Sequence, residues 1–262
     1  MLDFLIRHSV LTGLILYALL NAGMIGMTLL GLRLGHRLHQ EECPPLGTGT
    51  IEGAVLGLFG LLVAFTFYGA ADRLMDRRAL ILRESQIIGT AWSRLDLLPE
   101  PDRSELKDRF RRYLDAKLTA YKMADDRETF LKGLATVEEQ GEGIVKAAAA
   151  ACRSEGGRPY VVAIMPAVNE MADISMARHF ALWTHPPLTI YVLLIVLSLG
   201  SALLISIVMS PAKKRSWIHL MAFCIVVSAT IYVTIDLELP RLGLIRVDKA
   251  DALLWDVRRS MN

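Results

Sequence analysis

Apolar residues run without a charge through four segments of the chain, residues 9–32, 53–71, 188–210 and 217–235. Each is about 19 to 24 residues long, and at about 1.5 Å per helical residue this matches the ~30 Å hydrocarbon core of a bilayer. Between the second and third segments lies a long polar block. The pattern predicts an all-α membrane protein with four transmembrane helices in a 2 + 2 layout. Its expected parts are a first transmembrane pair (1–71), an inserted helical cytoplasmic domain (72–187), a second transmembrane pair (188–235) and a cytoplasmic C-terminal segment (236–262). The first apolar segment is too long for a signal-peptide core and lacks a small-x-small cleavage site, so it is expected to stay as a helix.

The polar block shows no alternating strand pattern. Leu80, Ile81, Glu84, Ile87, Ile88, Ala91, Trp92 and Leu95 recur at helical spacing until Pro99 and Pro101 stop them. No breaker separates this run from Ala71, which predicts one helical rod over 53–98, ~69 Å long, able to couple membrane and aqueous layers mechanically. Asp102 or Ser104 is placed to cap a following helix that carries Leu106, Phe110, Tyr113, Leu114, Leu118 and Tyr121 on one side. A third helix is expected over 127–152, ended by Ser154-Glu155-Gly156-Gly157, and a fourth over 159–183. Four amphipathic helices make a bundle, and faces this broad also suit burial against neighbouring subunits.

Composition agrees with this layout: 53% of residues are hydrophobic, and the 21% that are charged concentrate outside the four segments. A net charge of +2, with basic and acidic residues interleaved, excludes nucleic acid as a partner. Cys43, Cys152 and Cys224 fall in unlike surroundings, so free thiols are expected rather than a disulfide framework. Orientation follows from Lys and Arg near the membrane. Arg7, Arg73, Arg77, Arg78, Arg83, Arg178, Arg241, Arg246 and Lys249 share one side, against Arg33, Arg37, Lys213, Lys214 and Arg215 on the other. The majority puts the termini and the polar block in the cytoplasm, although Lys213-Lys214-Arg215 pulls the other way.

The second membrane helix carries the most information. Gly53, Gly57, Gly60 and Ala64 form a row of small residues, which lets helix backbones approach closely, so helix packing is the first reading. Phe59, Val63 and Phe67 form a second stripe about a quarter-turn away. A ring of such side chains around an oligomer axis makes an apolar constriction that gates by dewetting; the alternative is that they face lipid or another helix. Asp72 and Arg73 leave the membrane at the level of Asp236, Glu238 and Arg241. These charges either pair between helix ends or ring a pore mouth on the cytoplasmic side.

Other polar residues yield less. His36, His39, Glu41, Glu42 and Cys43 are close in sequence, but an H-x-x-H spacing without four placed ligands predicts no metal site. His219 is expected to be interfacial or packed, and Asn21 to hydrogen-bond across a helix interface. The chain has no phosphate loop, Ser/His/Asp or Cys/His arrangement, dinucleotide fingerprint or H-E-x-x-H, so neither enzymatic activity nor a cofactor is expected. Broken helices or repeated halves, the mark of secondary transporters, are missing too.

Several runs resemble the bacterial bestrophin-like family, also known as DUF4239. They are Ile51-Glu52-Gly53-Ala54-Val55-Leu56-Gly57-Leu58, Ala64-Phe65-Thr66-Phe67, Arg77-Arg78, Glu84, and Ile88-Gly89-Thr90-Ala91-Trp92-Ser93-Arg94-Leu95-Asp96-Leu97-Leu98-Pro99. The C-terminal run Asp236-Leu237-Glu238-Leu239-Pro240-Arg241-Leu242-Gly243-Leu244-Ile245-Arg246-Val247 resembles that family's ending. Together they cover the chain from about residue 50 onward. Bestrophins are homopentameric ion channels with four membrane helices per subunit, cytoplasmic termini and a helical region between the second and third helices. The resemblance therefore implies a homo-oligomer, a pentamer, in the bacterial inner membrane, with inorganic ions and the lipid bilayer as its partners. It also implies that the second helix lines the pore and that Phe59, Val63 and Phe67 form its neck. Eukaryotic bestrophins hold calcium in an acidic run after the fourth helix, whereas here Pro240 is followed by Arg241, Leu242, Gly243 and later Arg246, so calcium gating by that route is not expected. The expected function is passive ion conduction; the rival is a non-conducting membrane scaffold or sensor whose cytoplasmic bundle binds a partner.

Overall fold

The computed structural model describes residues 9–40, 48–124, 126–210, 217–239, 244–245 and 247–261, and most of these are helical, with no strand among them. The helices are α1 (Ser9–Gln40), α2 (Thr48–Arg94), α3 (Asp102–Lys122), α4 (Arg127–Ala151), α5 (Val161–Trp183), α6 (Leu188–Met209), α7 (Trp217–Leu237) and α8 (Asp248–Ser260). Short 3-10 turns occupy Leu95–Leu97 and Arg158–Tyr160. Among the described residues, α1, the first part of α2, α6 and α7 are long and apolar enough to cross a membrane. The chain divides into two compact units. One takes residues 9–73 and 185–239, the other 74–184 and 240–262.

In the first unit, helices meet where side chains are small. A Cβ placed on Gly31 would lie 2.5 Å from the Leu203 carbonyl oxygen and 2.8 Å from Ser206 Cβ. One placed on Gly35 would lie 2.6 Å from Ser210 Cβ and 2.7 Å from the Ile207 carbonyl oxygen. The backbones of α1 and α6 therefore touch, which in lipid supplies the dispersion contacts that hydrophobic exclusion cannot. Ser210 Oγ donates to the Leu32 carbonyl at 3.2 Å across this seam. Ser198 and Ser206, fully buried, donate instead to carbonyls one turn back on α6, at 2.6 Å each. Met24, Ala202 and Cys224 pack where α1, α6 and α7 converge. Asn21 Nδ2 is buried with no hydrogen-bond partner among the described residues, so the bond expected across a helix interface is not made through its amide nitrogen.

The second unit is built as a water-soluble bundle is, on large side chains. Ile88, Ala91 and Leu95 of α2 and its 3-10 turn share one core with Phe110, Tyr113 and Leu114 of α3, Ile144 and Ala148 of α4, and Ile164, Val168 and Met171 of α5. Burial of aliphatic and aromatic side chains at about 25 cal/mol per Å² is the driving force here. α3 and α4 approach closely at Gly133, where a Cβ would meet Ala120 Cβ at 2.8 Å. Helix α8 is also part of this core through Leu254 and Met261. Arg258 pairs with Asp115 at 2.8 Å and 3.0 Å, Arg111 Nε donates to the Met261 carbonyl at 2.8 Å, and the Lys122 ammonium lies 4.4 Å from the Trp255 ring centroid.

Some elements differ from expectation. Neither Asp102 nor Ser104 caps α3: the helix starts after Pro101, and Glu100 accepts from the Ser104 N–H at 3.2 Å and from its hydroxyl. The carboxylate one residue earlier has the reach to take a donor that a shorter side chain inside the first turn cannot. For α4 the cap is Asp126, which accepts from the N–H groups of Glu128 and Thr129. α1 runs beyond residue 32 to Gln40, since Arg33, Leu34 and Arg37 are sound helix formers and Gly35 is held by α6. The fourth amphipathic helix begins with a 3-10 turn and keeps Pro166 within its second turn, inside the α-helical stretch.

Candidate functional site

The second membrane helix has two unlike sides. Phe59 is 4% exposed and packs against Leu194 of α6 and Ile231 of α7, with Leu62 and Val63 partly buried beside it. Phe67 is 40% exposed. The three stripe residues thus pass from the chain's own interior to its surface over two turns, as an i, i+4, i+8 stripe drifts around a helix. On the other side, a Cβ added at Gly53, Gly57 or Gly60 would meet nothing within 4 Å, and Ala64 is exposed. Among the described residues, nothing packs against these three glycines.

Where the apolar run of this helix gives way to charged residues, the structure brings together part of the charged set. Arg73 Nε donates to Glu238 Oε1 at 2.8 Å, and its Nη2 bonds the same oxygen. Glu238 is buried, while the Arg73 side chain is 31% exposed. His185 Nδ1 lies 3.6 Å from the other oxygen of Glu238. Three segments of the first unit, the middle of α2, the start of the third apolar run and the end of α7, therefore meet at one carboxylate. Asp236 is buried and Asp72 exposed, while Arg241 lies outside the described residues.

A set of buried charges that sequence reasoning missed lies in the second unit. Glu84 is completely buried and accepts from both Lys117 and Arg178, and Arg178 bonds Asp251 of α8 in turn. Lys117 also donates to Tyr113 Oη at 2.9 Å and to Ser175 Oγ at 2.8 Å. The Arg178 guanidinium sits 4.1 Å from the Tyr121 ring centroid. Burial by itself disfavours the charge on Glu84, but Lys117 and Arg178 outweigh it and hold the carboxyl below its ordinary value of 4.5. Burial likewise works against the Lys117 ammonium, and Glu84 outweighs it, raising Lys117 above its ordinary 10.5. The signal in the sequence was register. Glu84 falls on the same face as Ile81 and Ile88, and Lys117 sits between Leu114 and Tyr121, so each interrupts an apolar face.

Glu41, Glu42 and Cys43 lie outside the described residues, as does the His39 side chain. Among the described residues no three His, Cys, Asp or Glu side chains gather as metal ligands. Cys152 and Cys224 are buried free thiols.

An apolar helix with one packed and one open face, continuing without interruption into the helical unit, is the setting in which the family comparison acquires meaning. The model of the bestrophin-like domain matches residues 18–252. The chain belongs to the bestrophin-like family. The match takes in all of α2 through α7 and most of α1. No curated protein and no solved structure matches the chain. This bestrophin-like chain is thus a multi-pass membrane protein of the bestrophin type, and its own side chains must carry any finer statement of its role.

Proposed function

We propose that the chain is one subunit of a homo-oligomeric ion channel, a pentamer by family analogy, in the bacterial inner membrane. The apolar helices cross in a 2 + 2 layout, with the termini and the inserted helical region in the cytoplasm. Conduction is passive and needs no cofactor or catalysis. The observation that carries this reading is the open face of α2: among the described residues nothing lies within 4 Å of a Cβ on Gly53, Gly57 or Gly60, and Ala64 is exposed, although small residues in membrane helices serve close approach. A second copy of the chain supplies the missing neighbour. Phe67, exposed beside this row, projects toward the shared axis and constricts the pore, with Val63 flanking it. Phe59 supports the neck from behind, anchored on Leu194 and Ile231. Arg73 and Glu238 pin the helix ends at the cytoplasmic mouth.

The burial of Phe59 also favours a second reading, a scaffold or sensor in which α2 only packs and the helical region binds a partner. Single-channel recording of the purified full-length protein in a planar bilayer, under an asymmetric KCl gradient with an empty-detergent control, separates the two. Discrete currents are expected, with Phe67→Ala enlarging them and Phe59→Ala changing them less. Silence from intact oligomers would sink the channel reading.

A further inference from the structure

Between α3, α4 and α5 the helical unit holds a cleft of about 610 Å³, a volume typical of small-molecule pockets. Its deep end is polar and electrically balanced. Lys117 there is 1% exposed, and its three donors go to Glu84, Tyr113 and Ser175. Its charge is answered by Glu84 and that of Arg178 by Glu84 and Asp251, so this end offers an incoming anion neither an open ammonium donor nor an uncompensated positive charge. Ser175 Oγ accepts from Lys117 and, at 3.2 Å, from Tyr113, which leaves its own hydroxyl proton for an acceptor in the cleft.

The outer end has the opposite character. Glu142 is matched by Lys146 at 2.9 Å, but Glu138, exposed on the same wall, forms no ion pair among the described residues, which leaves one negative charge in excess. Phe180 and Trp183 line the same cleft and are 72% and 46% exposed, and His179 lies beside Trp183 with ring centroids 6.4 Å apart. Aromatic faces attract a cation through their quadrupole, and a carboxylate lining the same cleft supplies the counter-charge. This is complementary to an organic ammonium group and repels a carboxylate.

We propose that this cleft binds a small organic ammonium ion with an apolar body, its charged group against the rings of Phe180 and Trp183 and balanced by Glu138 of the same cleft. The proposal does not depend on conduction. Its test is calorimetric titration of the full-length protein in detergent with benzyltrimethylammonium, neutral benzyl alcohol and anionic phenylacetate. Saturable binding of the cation is expected, with benzyl alcohol about 10-fold weaker or more and phenylacetate silent. Glu138→Gln should weaken the cation about 10-fold, while Glu139→Gln, its exposed neighbour outside the cleft, leaves it unchanged. Phenylacetate binding as well as the cation, equal losses in the two variants, or no saturable heat from any probe would overturn the proposal. So would a Met176→Cys thiol in the assembled protein that a water-soluble maleimide cannot reach, since a second copy would then cover the cleft.

Discussion

In the membrane unit Gly31 and Gly35 bring α1 onto the backbone of α6, whereas in the helical unit Phe110, Tyr113 and Leu114 fill the space between α3 and its neighbours. The difference follows from the solvent. Lipid tails are as apolar as leucine, so a membrane helix gains little by burying bulk and more by bringing backbones close. The helical unit, with its charged outer faces, is filled with large side chains, the packing that water rewards. Polar groups follow the same division. Serines and threonines inside the membrane unit spend their hydrogens mainly on helix carbonyls, with buried charge at Glu238 met by Arg73, while the helical unit buries a larger set of charges that satisfy one another.

The largest effect should come from breaking that set of charges. Glu84→Ala leaves Lys117 and Arg178 buried without their shared partner and is expected to cost about 3–5 kcal/mol, read as a lowered melting temperature of the helical unit. The same carboxylate sets a pH response. Because its folded value lies below 4.5, its contribution is complete above that value and is lost as pH falls through the depressed one. Lys117 acts in reverse: its contribution is complete below 10.5 and is lost only as pH rises past its raised value. Stability owed to this pair should therefore be flat from about pH 5 to 10 and fall in acid. A melt at pH 3.5 against pH 7 checks this, and Glu84→Gln should shrink the difference. An unchanged difference would assign the acid loss to other carboxylates.

In the membrane unit, Gly31→Ala is the matching break. Its Cβ meets a backbone carbonyl rather than a flexible side chain, so α1 and α6 must part, at about 1–3 kcal/mol. Gly26 on the same helix is the internal control, since a Cβ there meets nothing within 4 Å. Thermal denaturation of the two variants in one detergent should separate them. Equal melting temperatures would mean that the α1–α6 seam opens freely.

How far these features could be read in advance depends on what each signal measures. Charge-free runs report solvent, and the four long apolar helices follow from them directly. The continuous run from Ala71 through Ile88 to Leu95 reports the absence of a breaker, and α2 extends unbroken to Arg94. Contact partners are another matter. Gly31 and Gly53 look alike in sequence, yet one is pressed on a backbone and the other on nothing, because spacing states that a helix can pack and not where. Phe59 and Phe67 share a stripe but differ in burial for the same reason. Helix α8 escaped because Leu254 and Val257 are few among charges, and Glu84 because one acid in an apolar face reads as noise until Lys117 and Arg178 are placed beside it.

The smallest effect expected on the single chain is the most informative for function. Gly57→Ala puts a methyl group where nothing lies within 4 Å, so the melting temperature of the unit should move by no more than about 0.5 kcal/mol equivalent. Gly57→Leu extends the test, because a branched side chain in an empty space still leaves the chain's own packing intact. If a second copy lies against the row, Gly57→Leu should shift the purified protein from oligomer toward monomer in light scattering coupled to size exclusion, while Gly57→Ala does so less. If the oligomer persists unchanged, the row faces lipid or open pore, and the close approach of neighbouring subunits along Gly53, Gly57, Gly60 and Ala64 must be abandoned. A response in assembly without a response in melting is the signature of a helix whose missing partner lies outside its own chain.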